Sequence, residues 1–190
     1  MKSAHKPSMD LSRIRYKVRK SRTVYSKGPI TVIDCDVDMA NGRKISRQVL
    51  EHPGSVVIIP ETRQGKYLLI RQFRFAVKEC IWEWPAGGIE RGETFRQAAA
   101  RELAEEVGLW PRRLKPLLTF YPTPGISGET MHLFLASGLV PRQAQQDPDE
   151  EIEYREFSTR EIESMIRRGK IMDGKTIIGF AWMKYFKGRP

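Results

Sequence analysis

The sequence predicts an α/β fold built on mixed sheets, and three observations carry that expectation. Apolar stretches bounded by turn residues recur along the chain, and helical patterns are interspersed among them in the second half. Residues 30–50 read as two strands around Asn41-Gly42, an antiparallel hairpin signal. Residues 95–107 read as a helix whose start and stop are both marked.

Residues 1–12 form a basic tail with no strand or helix pattern. From 13 to 52 the pattern is strand-like. Ile30-Thr-Val-Ile-Asp-Cys-Asp-Val37 alternates, Asn41-Gly42 predicts a type I′ turn, and Lys44 to Leu50 is the return strand. A small N-terminal antiparallel sheet is expected there. Pro53-Gly54 then opens the main body, residues 53–190. Ser55 to Ile59 and Lys66 to Arg71 are two apolar strands joined across Gln64-Gly65, and Ile81 to Trp84 is a short strand that stops at Pro85. The helix follows: Thr94 and Gln97 form a capping box, Gly108 stands at the C-terminal cap position, and Pro111 follows. Strands are expected near 117–121, 131–136 and 152–157, and helices over 159–168 and 176–186.

The formal net charge is +10, which by its sum suggests nucleic acid. Its distribution argues otherwise. Residues 1–27 hold nine Lys or Arg against the single acid Asp10, whereas the remaining residues carry 24 basic and 22 acidic groups. The body is close to neutral, and nucleic acid is not the expected partner. Apolar runs such as Val56–Ile59 are four residues long, too short for a membrane span, and no signal-peptide stretch opens the chain. Two cysteines are too few for a disulfide scaffold and fit a reducing cytoplasm.

The helix carries the chemistry. Glu102, Glu105 and Glu106 stand at i, i+3 and i+4, so they are neighbours on one face. Acidic runs on helices are most often a solvated face. Yet clustered carboxylates repel, and a helix gains nothing from them unless cations neutralise them. Hard oxygen donors of this kind select Mg²⁺ or Mn²⁺ over zinc.

The spacing separates this cluster from a solvated face. Gly87, five residues, Glu93, seven residues, then Arg101-Glu102-Leu103-Ala104-Glu105-Glu106-Val107-Gly108-Leu109 resembles the signature of the Nudix hydrolases at all nine specified positions. Its seven fixed letters recur by chance on the order of once in 10⁸ windows. The resemblance implies a Nudix-type α/β/α sandwich with a mixed sheet and the hydrolysis of a nucleoside diphosphate linked to another group. It further implies two or more Mg²⁺ or Mn²⁺ ions held by Glu102, Glu105 and Glu106, with Glu93 and the Ala86 carbonyl completing the set. Arg101 would orient the carboxylates, and Glu106 is counted with the catalytic groups.

Flanking residues narrow the substrate. Ile70-Arg-Gln-Phe-Arg74, Trp84-Pro-Ala-Gly-Gly88, Tyr121-Pro-Thr-Pro-Gly125 and Asp173-Gly-Lys-Thr176 look like the ADP-ribose pyrophosphatase branch. That similarity implies cleavage of ADP-ribose to AMP and ribose 5-phosphate. Arg74 would contact the diphosphate, with Arg47 and Gly125 as further substrate-binding positions. Some of these features are shared with GDP-mannose-type pyrophosphatases, which stand as the alternative. An RNA-cap or dinucleotide pyrophosphatase is a second enzymatic rival. An ADP-ribose-sensing or nucleic-acid-binding regulator of the same fold is the rival of another class, against which the complete glutamate set argues. Position matching points to Glu150 as general base, with Glu151, Glu153 and Glu129 as rivals. Trp82 and Trp84 suit a core or an interface better than a base-stacking role, and His132 suits a structural one. Members of this branch are commonly dimers through the N-terminal sheet, so residues 13–52 are expected to serve dimerisation and base binding.

Overall fold

A computed structural model describes residues 16–28, 30–144 and 151–186. The tail at 1–12 and Glu150 lie outside the described residues. The chain divides into two units. One runs to His52 and includes Thr123–Gly128; the other holds Pro53–Pro122 and the chain from Glu129 onward.

The first unit is an antiparallel sheet of β1 (Tyr16–Lys27), β2 (Ile30–Met39) and β3 (Lys44–Glu51), in that order. β2 is central, and its Cys35 and Val37 are buried. β1 is an edge strand exposed along its whole length. The β2–β3 turn differs from the type I′ expectation. Type I′ needs positive φ at both central residues, but Lys78 is the only described non-glycine with positive φ, so Asn41 lacks it. Instead the Met39 N–H donates to the Arg43 carbonyl at 2.8 Å and only Gly42 is left-handed, at φ 79°. This is a three-residue loop ending in a left-handed glycine. Thr123–Gly128 docks on β3, where the Leu50 N–H donates to the Ile126 carbonyl at 2.8 Å and the Gly128 N–H returns a bond to the Leu50 carbonyl at 3.2 Å.

The second unit is the α/β body. One sheet has the order β7-β4-β9-β8, from β4 (Ser55–Pro60), β7 (Ala86–Gly88), β8 (Leu109–Phe120) and β9 (Met131–Pro141). β4 pairs parallel with β9 and antiparallel with β7, so the sheet is mixed. A second sheet joins β5 (Tyr67–Arg74) to β6 (Glu79–Glu83) and β10 (Ile152–Phe157). Helix α1 (Phe95–Val107) comes before β8, and α2 (Thr159–Arg167) and α3 (Gly174–Phe186) close the chain.

Side-chain alternation explains the layers. Val56 and Ile58 of β4, with Leu68 and Ile70 of β5, pack against Ala98, Ala99, Leu103 and Val107 of α1. Their neighbours Val57, Ile59, Tyr67 and Leu69 point the other way, onto Ile162 of α2 and Phe180 and Met183 of α3. A strand covered on both faces has no solvent side, so β4 reads as an unbroken apolar run rather than an alternating one. The result is the expected α/β/α sandwich.

Two elements differ from the sequence expectation. The strand expected near 117–121 begins at Leu109, immediately after the helix, and runs through Pro111 and Pro116. Prolines suit it because β8 is the edge of its sheet, where a missing N–H costs no ladder bond. The three-residue β7 was not expected. Glycine and alanine give it no β-pattern, and only its pairing with β4 makes it a strand. His132 is structural: it stacks on Phe95 with 3.7 Å between ring centroids, and burial lowers its pKa.

Candidate active site

The candidate site is built where β7 passes helix α1. Helix α1 begins as expected. The Thr94 side chain accepts from the Gln97 N–H at 3.3 Å, the Gln97 side chain accepts from the Thr94 N–H at 2.9 Å, and Gly108 ends the helix at φ 71°. With one helical face fixed in the core, Glu102 and Glu106 are directed toward β7, and Glu105 borders an open cleft.

Each residue of β7 then meets one group of the helix. The Ala86 N–H donates to Glu106 Oε2 at 3.1 Å. Gly87 lies so close to the Glu102 carboxylate that a Cβ there would overlap it. The Gly88 carbonyl accepts from Arg101 Nη2 at 2.9 Å. A side chain at 87 would displace the Glu102 carboxylate from this position, and no unusual φ is involved.

Arg101 holds the carboxylates together. Its Nε and Nη2 reach the two oxygens of Glu93 at 3.0 Å each, a bidentate pair. Its Nη1 donates to Glu102 at 2.8 Å and to Glu105 at 2.9 Å. The three acids raise the arginine pKa, Glu93 foremost. In return Arg101, helped by the Glu90 N–H, holds the Glu93 carboxyl below its ordinary value against the effect of burial. Glu106 is only 3% exposed, and it is anchored by the backbone of β7.

The donor set fits a hard divalent cation. Three carboxylates share one guanidinium and Glu106 stands on the same helix, so negative charge is in excess. One cationic nitrogen, Arg101 Nη1, already draws Glu102 and Glu105 to within hydrogen-bond reach of the same point. Among the described residues no three His, Cys, Asp or Glu side chains converge as a ready ligand set; the guanidinium stands among the carboxylates instead. An open cleft of about 610 Å³ borders the cluster, lined by Glu93, Arg101 and Glu105 together with Trp110, Arg112 and Arg142.

The structure therefore brings Ala86, Glu93, Arg101, Glu102, Glu105 and Glu106 to one place. Arg74, at the end of β5, instead pairs through Nε with the buried Glu83 at 2.8 Å. Arg47 and Gly125 belong to the other unit: Arg47 Nη1 donates to the Ser46 carbonyl at 2.9 Å, and Gly125 is exposed in the turn after Thr123. Among the rivals for a base, Glu153 is ion-paired with Arg71 at 3.6 Å and Arg155 at 3.7 Å, Glu129 accepts from Ser55 Oγ at 2.5 Å, and Glu151 is exposed. Trp84 is buried and meets Tyr67 edge-on, so it is a core residue. Sequence reading overlooked Glu83 and Lys175. A carboxylate between two tryptophans was a signal of the first; nothing local marks the second as its partner.

The chain is similar to known proteins over most of its length. The family model for the NUDIX domain matches residues 51–177. A methanol dehydrogenase activator from Bacillus methanolicus is 32% identical over 88% of this chain and 92% of its own. An ADP-ribose pyrophosphatase from Bacillus subtilis is 32% identical over 78% of this chain and 82% of its own. One from Mycobacterium tuberculosis is 29% identical over 86% and 81% respectively. The crystal structure of an ADP compounds hydrolase superposes with a TM-score of 0.80, at 22% identity, covering 93% of this chain and 97% of that one, which establishes a common fold.

Proposed function

The chain belongs to the Nudix family, and we propose that it is a divalent-metal-dependent hydrolase cleaving the diphosphate of ADP-ribose to AMP and ribose 5-phosphate. One observation carries the reading: the Arg101 guanidinium gathers Glu93, Glu102 and Glu105 beside a Glu106 anchored by backbone. The ADP-ribose pyrophosphatases among the relatives supply the substrate.

Glu102, Glu105 and Glu106, with Glu93 and the Ala86 carbonyl, would hold two or more Mg²⁺ or Mn²⁺ ions. Such ions polarise phosphoryl oxygens and acidify bound water. The protein's own residues do the rest. Arg101 keeps mutually repelling carboxylates in place, so little reorganisation is needed on binding. Arg74 meets the diphosphate, for which a guanidinium is well shaped, and Arg47 and Gly125 serve the remainder of the substrate. Glu150 is the general base in this reading, and the engagement of Glu153 with two arginines supports that choice over Glu153. The AMP and ribose 5-phosphate produced account for both halves of the substrate plus one water.

A substrate panel with Mg²⁺ tests the assignment: ADP-ribose, GDP-mannose, a dinucleoside diphosphate and capped RNA. ADP-ribose is expected to give the highest kcat/KM. Equal or better turnover of another member would overturn the substrate assignment.

The N-terminal sheet, residues 13–52, is read as a dimerisation and base-binding element. The exposure of Tyr16, Val18, Val24 and Tyr25 on its edge strand supports this. Sedimentation at micromolar concentration is expected to give a dimer, and a monomer would refute this part. No described helix is long and apolar enough to cross a membrane. Cys35 and Cys80 are free thiols, which supports the cytoplasm as the site of action.

A further inference from the structure

Glu83 is fully buried, and it lies outside the carboxylate cluster of α1. It ends β6 between Trp82 and Trp84, three residues before Ala86, where β7 starts. Its two oxygens have different partners. Oε1 accepts from Arg74 Nε at 2.8 Å, and Oε2 is ion-paired with Lys175. Lys175 continues to Asp173 Oδ1 at 3.0 Å. Asp173 Oδ2 caps α3, accepting from the Thr176 N–H at 2.9 Å and its hydroxyl at 2.6 Å. Thr176 closes the chain on β6: its Oγ1 accepts from the Trp84 N–H at 2.9 Å, and its carbonyl accepts from the Trp84 indole at 3.0 Å. Gly179 lets the helix approach, since a Cβ there would stand 2.8 Å from the indole nitrogen.

Accessibility rises toward one end. The Glu83 side chain is 0% exposed, Lys175 10% and Arg74 36%. A network held only for stability has no reason to be ionic, because the desolvation of buried charges largely offsets their attraction and an apolar cluster of equal volume does as well. What a buried carboxylate adds is direction. A bond to Nε fixes the plane of a guanidinium, because the group is rigid and planar.

We propose that Glu83 is a positioning residue for substrate binding: anchored by Lys175, it sets the plane in which Arg74 meets the diphosphate of the substrate. The proposal rests on the reading that Arg74 contacts that diphosphate. A guanidinium held in advance loses less freedom on binding, so the effect falls on affinity.

The test is a double-mutant cycle of Arg74→Ala and Glu83→Gln, measured with Mg²⁺ and whichever substrate wins the panel. Glu83→Gln is expected to raise KM about tenfold while kcat changes by less than about threefold. The double variant is expected to match Arg74→Ala alone, because Glu83 acts through Arg74. Fully additive effects, or a lower melting temperature with KM unchanged, would overturn the positioning role and leave Arg74 in place. An unchanged KM in Arg74→Ala would overturn the Arg74 reading and this proposal with it. Should Glu83→Gln not fold, Glu83→Asp keeps the charge but withdraws it by one methylene. An intermediate KM is expected there, and a parental KM would overturn the proposal.

Discussion

Glu106→Gln is expected to lower kcat by about 10³-fold or more, with the fold retained. The substitution keeps shape and volume and removes only the charge. Glu106 is 3% exposed and accepts the Ala86 N–H at 3.1 Å, and the glutamine oxygen accepts that bond equally well. What it loses is an anionic donor at the most deeply buried point of the cluster. Glu105→Gln is expected to act in the same direction, although Glu105 is more exposed and is held by Arg101 rather than by backbone. The measurement is kcat with saturating Mg²⁺ and ADP-ribose, alongside circular dichroism. Near-parental turnover in both variants would refute the metal-binding assignment of this helix face.

Arg101→Ala is expected to destabilise the protein by about 2–3 kcal/mol in a chelating buffer at neutral pH, a fall in Tm of roughly 5–10 °C for a chain of this size. The variant leaves Glu93, Glu102 and Glu105 close together without their common cation. Added Mg²⁺ should recover part of the loss, because a ligand that binds only the folded state stabilises it by mass action. The pH dependence has a definite sign. The Glu93 carboxyl is held below its ordinary value of 4.5, first by Arg101. Its contribution is therefore complete above that value and disappears as pH falls through the lowered one. The gap between parent and variant should be widest at neutral pH and should close as pH falls below 4.5 and through the lowered value. Thermal unfolding from about pH 3 to pH 8 with chelator checks this. Equal melting temperatures at neutral pH would show that Arg101 is not the compensating charge.

Much of the site could be read in advance because it is local. The three glutamates, Arg101 and the helix caps lie within a few turns of one helix, where 3.6 residues per turn converts spacing directly into geometry. The strands β4 and β5 were legible for a similar reason, since apolar content marks a strand covered on both faces. The turn at Asn41-Gly42 was misjudged in type because dipeptide preference does not count loop residues. β8 was misjudged in extent because proline is tolerated at a sheet edge, and edge position is a property of the whole sheet.

Sequence by itself marked the chemistry of this protein: a capped helix with carboxylates on one face, a glycine and an acid at fixed spacing before it, and a body close to neutral beside a basic N-terminal segment. Those features depend on residue type and short spacing, which the chain carries before it folds. Tertiary structure alone decided the partners. It placed each residue of β7 against a different group of α1, and gathered three acids on Arg101. It also joined Arg74, Glu83 and Lys175, the last two 92 residues apart, into one buried network. Contacts at that separation are selected by how two sheets and three helices exclude water together, and no local pattern in the chain encodes that selection.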